Sequence, residues 1–187
     1  MSEPNRNVTV RDTILTAGIA LLREYGITAL TQPKVAAAAG VKQSHLTYYF
    51  PKRVDLLLGV AEYAIDNILN DLEAGLVNNP APPAFVDTVS KAMIDGVPPR
   101  VMLGLIVAAD ADPEIRPALQ KLIRRVRHHI QLVLAKSGMV ADDTTTLLFH
   151  ATVVGLAVMH DAQRTDESAQ EVKAGVESIV KLMGTKT

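Results

Sequence analysis

The side chains best suited to chemistry fall in one short run. Gln43, Ser44, His45, Thr47 and Tyr48 place amide, hydroxyl, imidazole and phenol groups close together. Val41, Leu46 and Phe50 follow helical spacing and would turn inward, which leaves the polar set mostly outward. Small polar and aromatic groups on an exposed face suit recognition of a surface. The remaining histidines make poor metal ligands. His128 and His129 are adjacent and would point about 100° apart on a helix, beside the cations Arg124, Arg125 and Arg127. His150 and His160 do not share a helical face either, and the chain contains no cysteine, so we expect neither a metal nor another cofactor. No Gly-rich phosphate loop after a strand, no Gly-x-Ser-x-Gly elbow and no His-Glu-x-x-His pair marks an enzyme.

Two short helices meeting at a tight turn would position the polar face. Thr31 is a good N-cap residue, Pro33 is tolerated in a first helical turn, and residues 35–39 are small or apolar before Gly40 stops the run. Upstream, residues 11–25 put Ile14, Ala17, Leu21, Leu22 and Tyr25 on one face, and Gly26 ends that helix.

In these residues the chain resembles the TetR family of transcriptional regulators. The matching positions are Thr31, Ala39-Gly40-Val41, Leu46, Tyr48-Tyr49, Phe50, Arg53 and Leu56-Leu57, preceded by Ile14-Leu15, Leu21-Leu22, Tyr25-Gly26 and Ala29-Leu30. The resemblance implies an all-α fold in two parts. An N-terminal helix-turn-helix DNA-binding domain would occupy residues 1–53, with its motif at about 31–50. A helical effector-binding and dimerisation domain would fill residues 54–187. It further implies roles for single residues: Gln32, Lys42 and Thr47 near phosphates, Gln43, Ser44 and His45 toward base edges, Tyr48 and Tyr49 against phosphate or a thymine methyl, Lys52 and Arg53 on the DNA backbone. Three positions depart from the family pattern. Lys42 stands where a Ser or Thr cap is usual, Thr47 where the first Tyr of an aromatic pair is common, and Arg53 where Lys is usual.

Composition bounds the rest. A chain of 187 residues, 48% hydrophobic, can bury a core, and the absence of cysteine is compatible with a reducing cytoplasm. Residues 1–10 are polar, and the longest apolar run, residues 101–109, is far below the roughly 18 residues of a membrane span. We therefore expect a soluble cytoplasmic protein without membrane contact. Charge is uneven: up to residue 60 seven basic residues face four acidic ones, while the whole chain carries a net charge of -1. A basic front and an acidic body fit a protein that presents one end to a polyanion.

After the two-helix unit the chain reads as helix upon helix, with no period-two strand. Residues 55–76 form a long amphipathic helix whose stripe includes Leu72 and Leu76, and residues 78–83 (NNPAPP) break the chain. Helices follow over residues 84–95, 100–109, from Asp112-Pro113 to about 136, 143–160 and 167–183, with Pro117 pointing to a start later than Pro113 for the third. The helix over 143–160 is apolar on most sides and needs partners all round. By amphipathicity alone the last two helices are core or interface alike; the resemblance implies a homodimer built through them. It also implies a ligand pocket in the body, for which Met93, Met102, Ile106, Phe149, Val153 and Met159 are candidates, because Met and Phe fill adaptable apolar cavities. The implied function is a ligand-responsive regulator, a repressor by resemblance, that binds a partly palindromic double-stranded DNA operator and is released by a small-molecule effector. The alternatives are a helical ligand-binding or protein-interaction module, or a helical enzyme, with a non-functional DNA reader.

Overall fold

The computed structural model describes residues 9–78, 82–94 and 97–184. Among these, nine α-helices and two short 3-10 turns form the fold, and no strand occurs. Helix α1 (Val10–Tyr25) starts in a capping box: Thr9 Oγ1 accepts from the Asp12 N–H at 3.1 Å, and the Asp12 carboxylate accepts from the Thr9 N–H at 3.2 Å. Ile14, Leu15, Gly18, Ile19 and Leu22 face inward. Tyr25, expected on that face, is exposed, because it falls in the last turn, beyond the last buried position.

Helices α2 (Gln32–Ala38) and α3 (Gln43–Tyr49) make the expected pair. Between them Gly40 adopts φ of 66°, a left-handed conformation that glycine enters without steric penalty, and the Val41 N–H donates to the Ala36 carbonyl at 3.0 Å. Leu46 and Phe50 are buried, each burial favourable by roughly 2 kcal/mol, and this fixes which side of α3 points out. Neither helix has a side-chain cap. Thr31 holds the N-cap position of α2, yet its hydroxyl makes no capping bond, and Lys42 has no acceptor to offer α3.

The long helix α4 (Arg53–Asn78) begins two residues earlier than periodicity suggests, because the Asp55 carboxylate accepts from the Lys52 N–H at 2.8 Å and closes the first turn. The side chains of Leu72 and Leu76 and the heart of the 78–83 break lie outside the described residues. The body continues with α5 (Pro82–Ile94), α6 (Val97–Ala111), α7 (Arg116–Lys136), α8 (Asp143–Gln163) and α9 (Asp166–Met183). α7 starts late, as Pro117 indicated. Residues Pro113–Ile115 form a single 3-10 turn capped by Asp112, and Pro117 sits where no helical N–H is required.

Two clusters of buried side chains hold the fold together. The first joins α1, α2, α3 and the front of α4 to Val101 and Leu105 of α6 and Leu119 and Leu122 of α7, so this core runs through residue 53 without a break. The second joins Phe85 and Val89 of α5, Val133 and Leu134 of α7, Phe149 and Val153 of α8, and Val172 and Val176 of α9. α8 is the one described helix long and apolar enough to cross a membrane by length and composition, longer than the apolar run at residues 101–109 suggested. It packs on α5, α6, α7 and α9, yet only 28% of its most apolar window is buried.

Candidate nucleic-acid interface and apolar cavity

The outward side of α3 carries the expected polar face. Gln43, Ser44 and His45 are exposed, with no side-chain hydrogen bond among the described residues, so their donors and acceptors are open to an outside partner. Tyr48 is 80% exposed, and Tyr49 meets it edge-on with ring centroids 5.2 Å apart. Lys42 and Lys52 are exposed at the two ends of α3, where a polyanion would find charge. The Arg11 guanidinium lies 5.7 Å from the centre of the Phe50 ring and ties the first turn of α1 to the end of α3.

Three expected contact residues also make hydrogen bonds within the chain. Gln32 Nε2 donates to the carbonyls of Phe50 at 2.6 Å and Pro51 at 3.1 Å, so its amide donors lock α2 to the end of α3 instead of facing a phosphate. The Thr47 hydroxyl folds back onto the carbonyls of Gln43 and Ser44, both at 3.1 Å, the usual fate of a threonine inside a helix. Arg53 donates through Nε to Leu30 at 3.1 Å and through Nη2 to Ile27 at 3.4 Å, which pins the start of α4 to the turn before α2. The Gln32 and Arg53 bonds brace the elements around α3, while those of Thr47 stay within α3.

Inside the body, α4 to α8 enclose an apolar cavity of about 100 Å³. Met93, Met102, Phe149 and Val153 line it, as the sequence reading expected. Ile106 and Met159 do not: they are 44% and 57% exposed, on the outer sides of α6 and α8. Ile65, Ile68 and Leu69 of α4 and Val126 and Ile130 of α7 complete the walls. Their types are those of any core residue, so no sequence signal marked them. The one titratable group in the lining is His150, whose pKa is held below the ordinary imidazole value by burial and, second, by the Arg127 charge. It is therefore a neutral hydrogen-bonding group at neutral pH. Among the described residues no cluster of His, Asp or Glu is placed to hold a metal; His160 Nδ1 instead lies 2.7 Å from Ser168 Oγ, joining α8 to α9.

Known proteins share both halves of this arrangement. Residues 14–60 match the family described as bacterial regulatory proteins, tetR family, and residues 85–182 match the tetracyclin repressor-like C-terminal domain, a span of more than half the chain. The chain belongs to the TetR family of transcriptional regulators. The HTH-type transcriptional regulator CymR of Pseudomonas putida is 28% identical over 185 residues, covering 92% of this chain and 89% of the relative. A transcriptional regulator of Rhodococcus sp. RHA1 superposes with a TM-score of 0.68 at 18% identity, over 94% of this chain and 96% of its own. A regulator from Saccharomonospora viridis, solved in complex with choline, gives 0.68 at 15% identity, over 95% and 98%.

Helix α6 touches both the cavity and the N-terminal helices. Its Pro99 and Met102 line the cavity. Between them Arg100 reaches the other way: Nη1 donates to the carbonyls of Leu22 at 3.0 Å and Arg23 at 2.9 Å, at the end of α1, while Nε donates to Asp161 of α8 at 2.8 Å. That ion pair is largely buried, the two side chains being 12% and 15% exposed. One turn on, Gly104 lets Ile27 approach so closely that a Cβ there would lie 2.6 Å from it. Sequence reasoning did not find Arg100, although it is the only charge in residues 97–109.

Proposed function

We propose that the chain is a homodimeric repressor that binds a partly palindromic operator and leaves it when a small, mainly apolar molecule enters the body. The observation that carries the reading is the open polar and aromatic face of α3, with Tyr48 almost fully exposed beside Gln43, Ser44 and His45. Those three side chains are assigned to base edges, Tyr48 and Tyr49 to phosphate or thymine methyl, and Lys42 and Lys52 to the phosphate backbone. Residues 1–53 act as the reader and residues 54–187 as the body. A second copy would meet the first through α8 and α9, whose exposed Leu147, Leu148, Met159 and Leu182 need cover. Two readers on a two-fold axis address half-sites about 34–36 Å apart, or a larger spacing on a longer operator. Such work places the protein in the compartment that holds the chromosome.

The size of the cavity supports release by ligand. Ligand sites usually measure about 300–1,000 Å³, so an ordinary effector fits only if the walls move. Two of those walls, α4 and α6, also hold the reader, through Arg53 and Arg100. Ligand and DNA then oppose each other by reciprocal linkage. Among the described residues the walls contain no carboxylate, and the chain has no Trp, which favours an apolar effector over a cation such as the choline in the complex of the Saccharomonospora viridis relative.

Fluorescence anisotropy on the duplex just upstream of the gene tests the reading. Wild type is expected to bind it in preference to a scrambled duplex, and Tyr48→Ala with His45→Ala to remove that preference while the fold persists. Equal binding by wild type of both duplexes and of a random-sequence pool would leave the alternative of a module with a silent reader.

A further inference from the structure

We propose, on the reading of the body as a ligand-binding domain, that the apolar cavity and the polar cleft behind it form one composite site for an amphiphile with an apolar tail and a carboxylate head. The cleft lies between α1, α4 and α5 and measures about 520 Å³, against about 100 Å³ for the cavity. The two spaces share walls along the seam between α4 and α5. Thr88 lines the cleft and the next residue, Val89, the cavity; Ala64 and Ile65 divide in the same way. Ile68 lines both, so this half-buried side chain stands between them. Turned aside, it joins the two into a volume within the range of about 300–1,000 Å³ usual for ligand sites, which the cavity alone falls short of.

The cleft supplies what the cavity lacks, namely accessible polar groups without partners. Lys91, exposed on α5, makes no ion pair among the described residues, although Asp71 lines the same cleft. The exposed amide of Asn67, directly before Ile68, makes no hydrogen bond there either. Among the described residues the Tyr63 hydroxyl meets only Thr16 Oγ1, 3.5 Å away, a distance at which little bonding remains. Ammonium, amide and phenol all donate, and the two oxygens of one carboxylate can accept from all three. An ammonium head would meet the Lys91 charge. A phosphate monoester would bring a second negative charge against Asp71, the one acid in the lining. The head would also touch the reader, because Thr16 and Arg23 of α1 line the cleft and α1 packs on α2. A ligand lying across the seam therefore bears on α1 directly.

Calorimetric titration of the full chain with octanoate, octylammonium and benzene is the test, benzene being small enough for the cavity alone. Octanoate should bind saturably and more tightly than octylammonium, and benzene should compete with it, since both place apolar atoms in the cavity. Lys91→Gln should weaken octanoate about fivefold, the size of an exposed ion pair, and Asp71→Asn should strengthen it. Both positions are exposed, so the variants should fold as wild type does, which superimposable unfolding curves would show. Benzene binding should be the same in both variants, and Lys121→Gln on α7 should change nothing. Octanoate binding that ignores Lys91→Gln and Asp71→Asn, that benzene does not displace, or that is weaker than octylammonium binding would overturn the composite site. So would binding of benzene without octanoate, which would leave the cavity as the whole ligand site. Absence of binding by both would overturn the cavity reading as well.

Discussion

Arg100 joins three parts of the molecule through one guanidinium: the end of α1, the cavity helix α6 and Asp161 of α8. Replacing it by Met would remove one donor from the carbonyls of Leu22 and Arg23, the first of which keeps the Gly26 N–H, and leave Asp161 with only the exposed Arg164 as its ion-pair partner. Breaking a largely buried pair on one side costs about 3 kcal/mol, so urea unfolding of Arg100→Met should show a loss of that size, and a loss under 1 kcal/mol would contradict the buried geometry. His150 makes a second prediction. Its folded pKa lies below the unfolded value of 6.5, so the unfolded chain takes up the proton first as pH falls. Its contribution to stability is complete above pH 6.5 and declines below it. The unfolding free energy should fall as pH drops below 6.5, and His150→Leu should flatten that slope. His150 was weighed in the sequence as a metal ligand that lacked company, whereas Arg100, although a lone charge in an apolar run, was not singled out. Their partners were not legible there, because Leu22, Asp161 and Arg127 reach them only through the tertiary fold.

At the scale of elements, most of the fold was legible. Gly26, Gly40, Pro117 and the apolar spacing of α1, α3 and α9 fix where those helices run, since they depend on local sterics and periodicity. Cavity walls were harder. α6 and α8 are apolar on most sides, so their sequences do not show which face turns in, and Ile106 and Met159 went outward while Met102 and Phe149 went inward. The bonds that brace the reader were not legible for another reason: Gln32 and Arg53 have the chemistry of DNA contacts, and only the tertiary geometry brings them to the carbonyls of Phe50, Pro51, Leu30 and Ile27. The uncapped start of α3 yields a prediction with two opposite signs. Lys42→Ser supplies the missing N-cap and should raise stability by about 1 kcal/mol. The same change removes an exposed charge beside the DNA, and should lower the salt dependence of operator binding by about one phosphate contact. Thermal unfolding and a salt titration of binding would check the two halves separately.

At the scale of the whole molecule, α8 is a helix that keeps large apolar side chains uncovered in a single chain. Its apolar faces pack on four neighbouring helices and still leave Leu147, Leu148 and Met159 exposed. If a second copy covers them, Leu148→Glu should yield a folded monomer by analytical ultracentrifugation, with weakened operator binding, since two linked readers bind far more tightly than one. A dimer that survives the substitution would move the interface elsewhere. The central claim, that α3 reads DNA sequence, is tested most directly by selecting from a pool of random duplexes with the full wild-type chain. The account predicts an enriched, partly palindromic sequence whose half-sites are separated by about one helical turn or more of B-DNA. A pool that emerges unenriched, with binding no stronger than to random DNA, would contradict it.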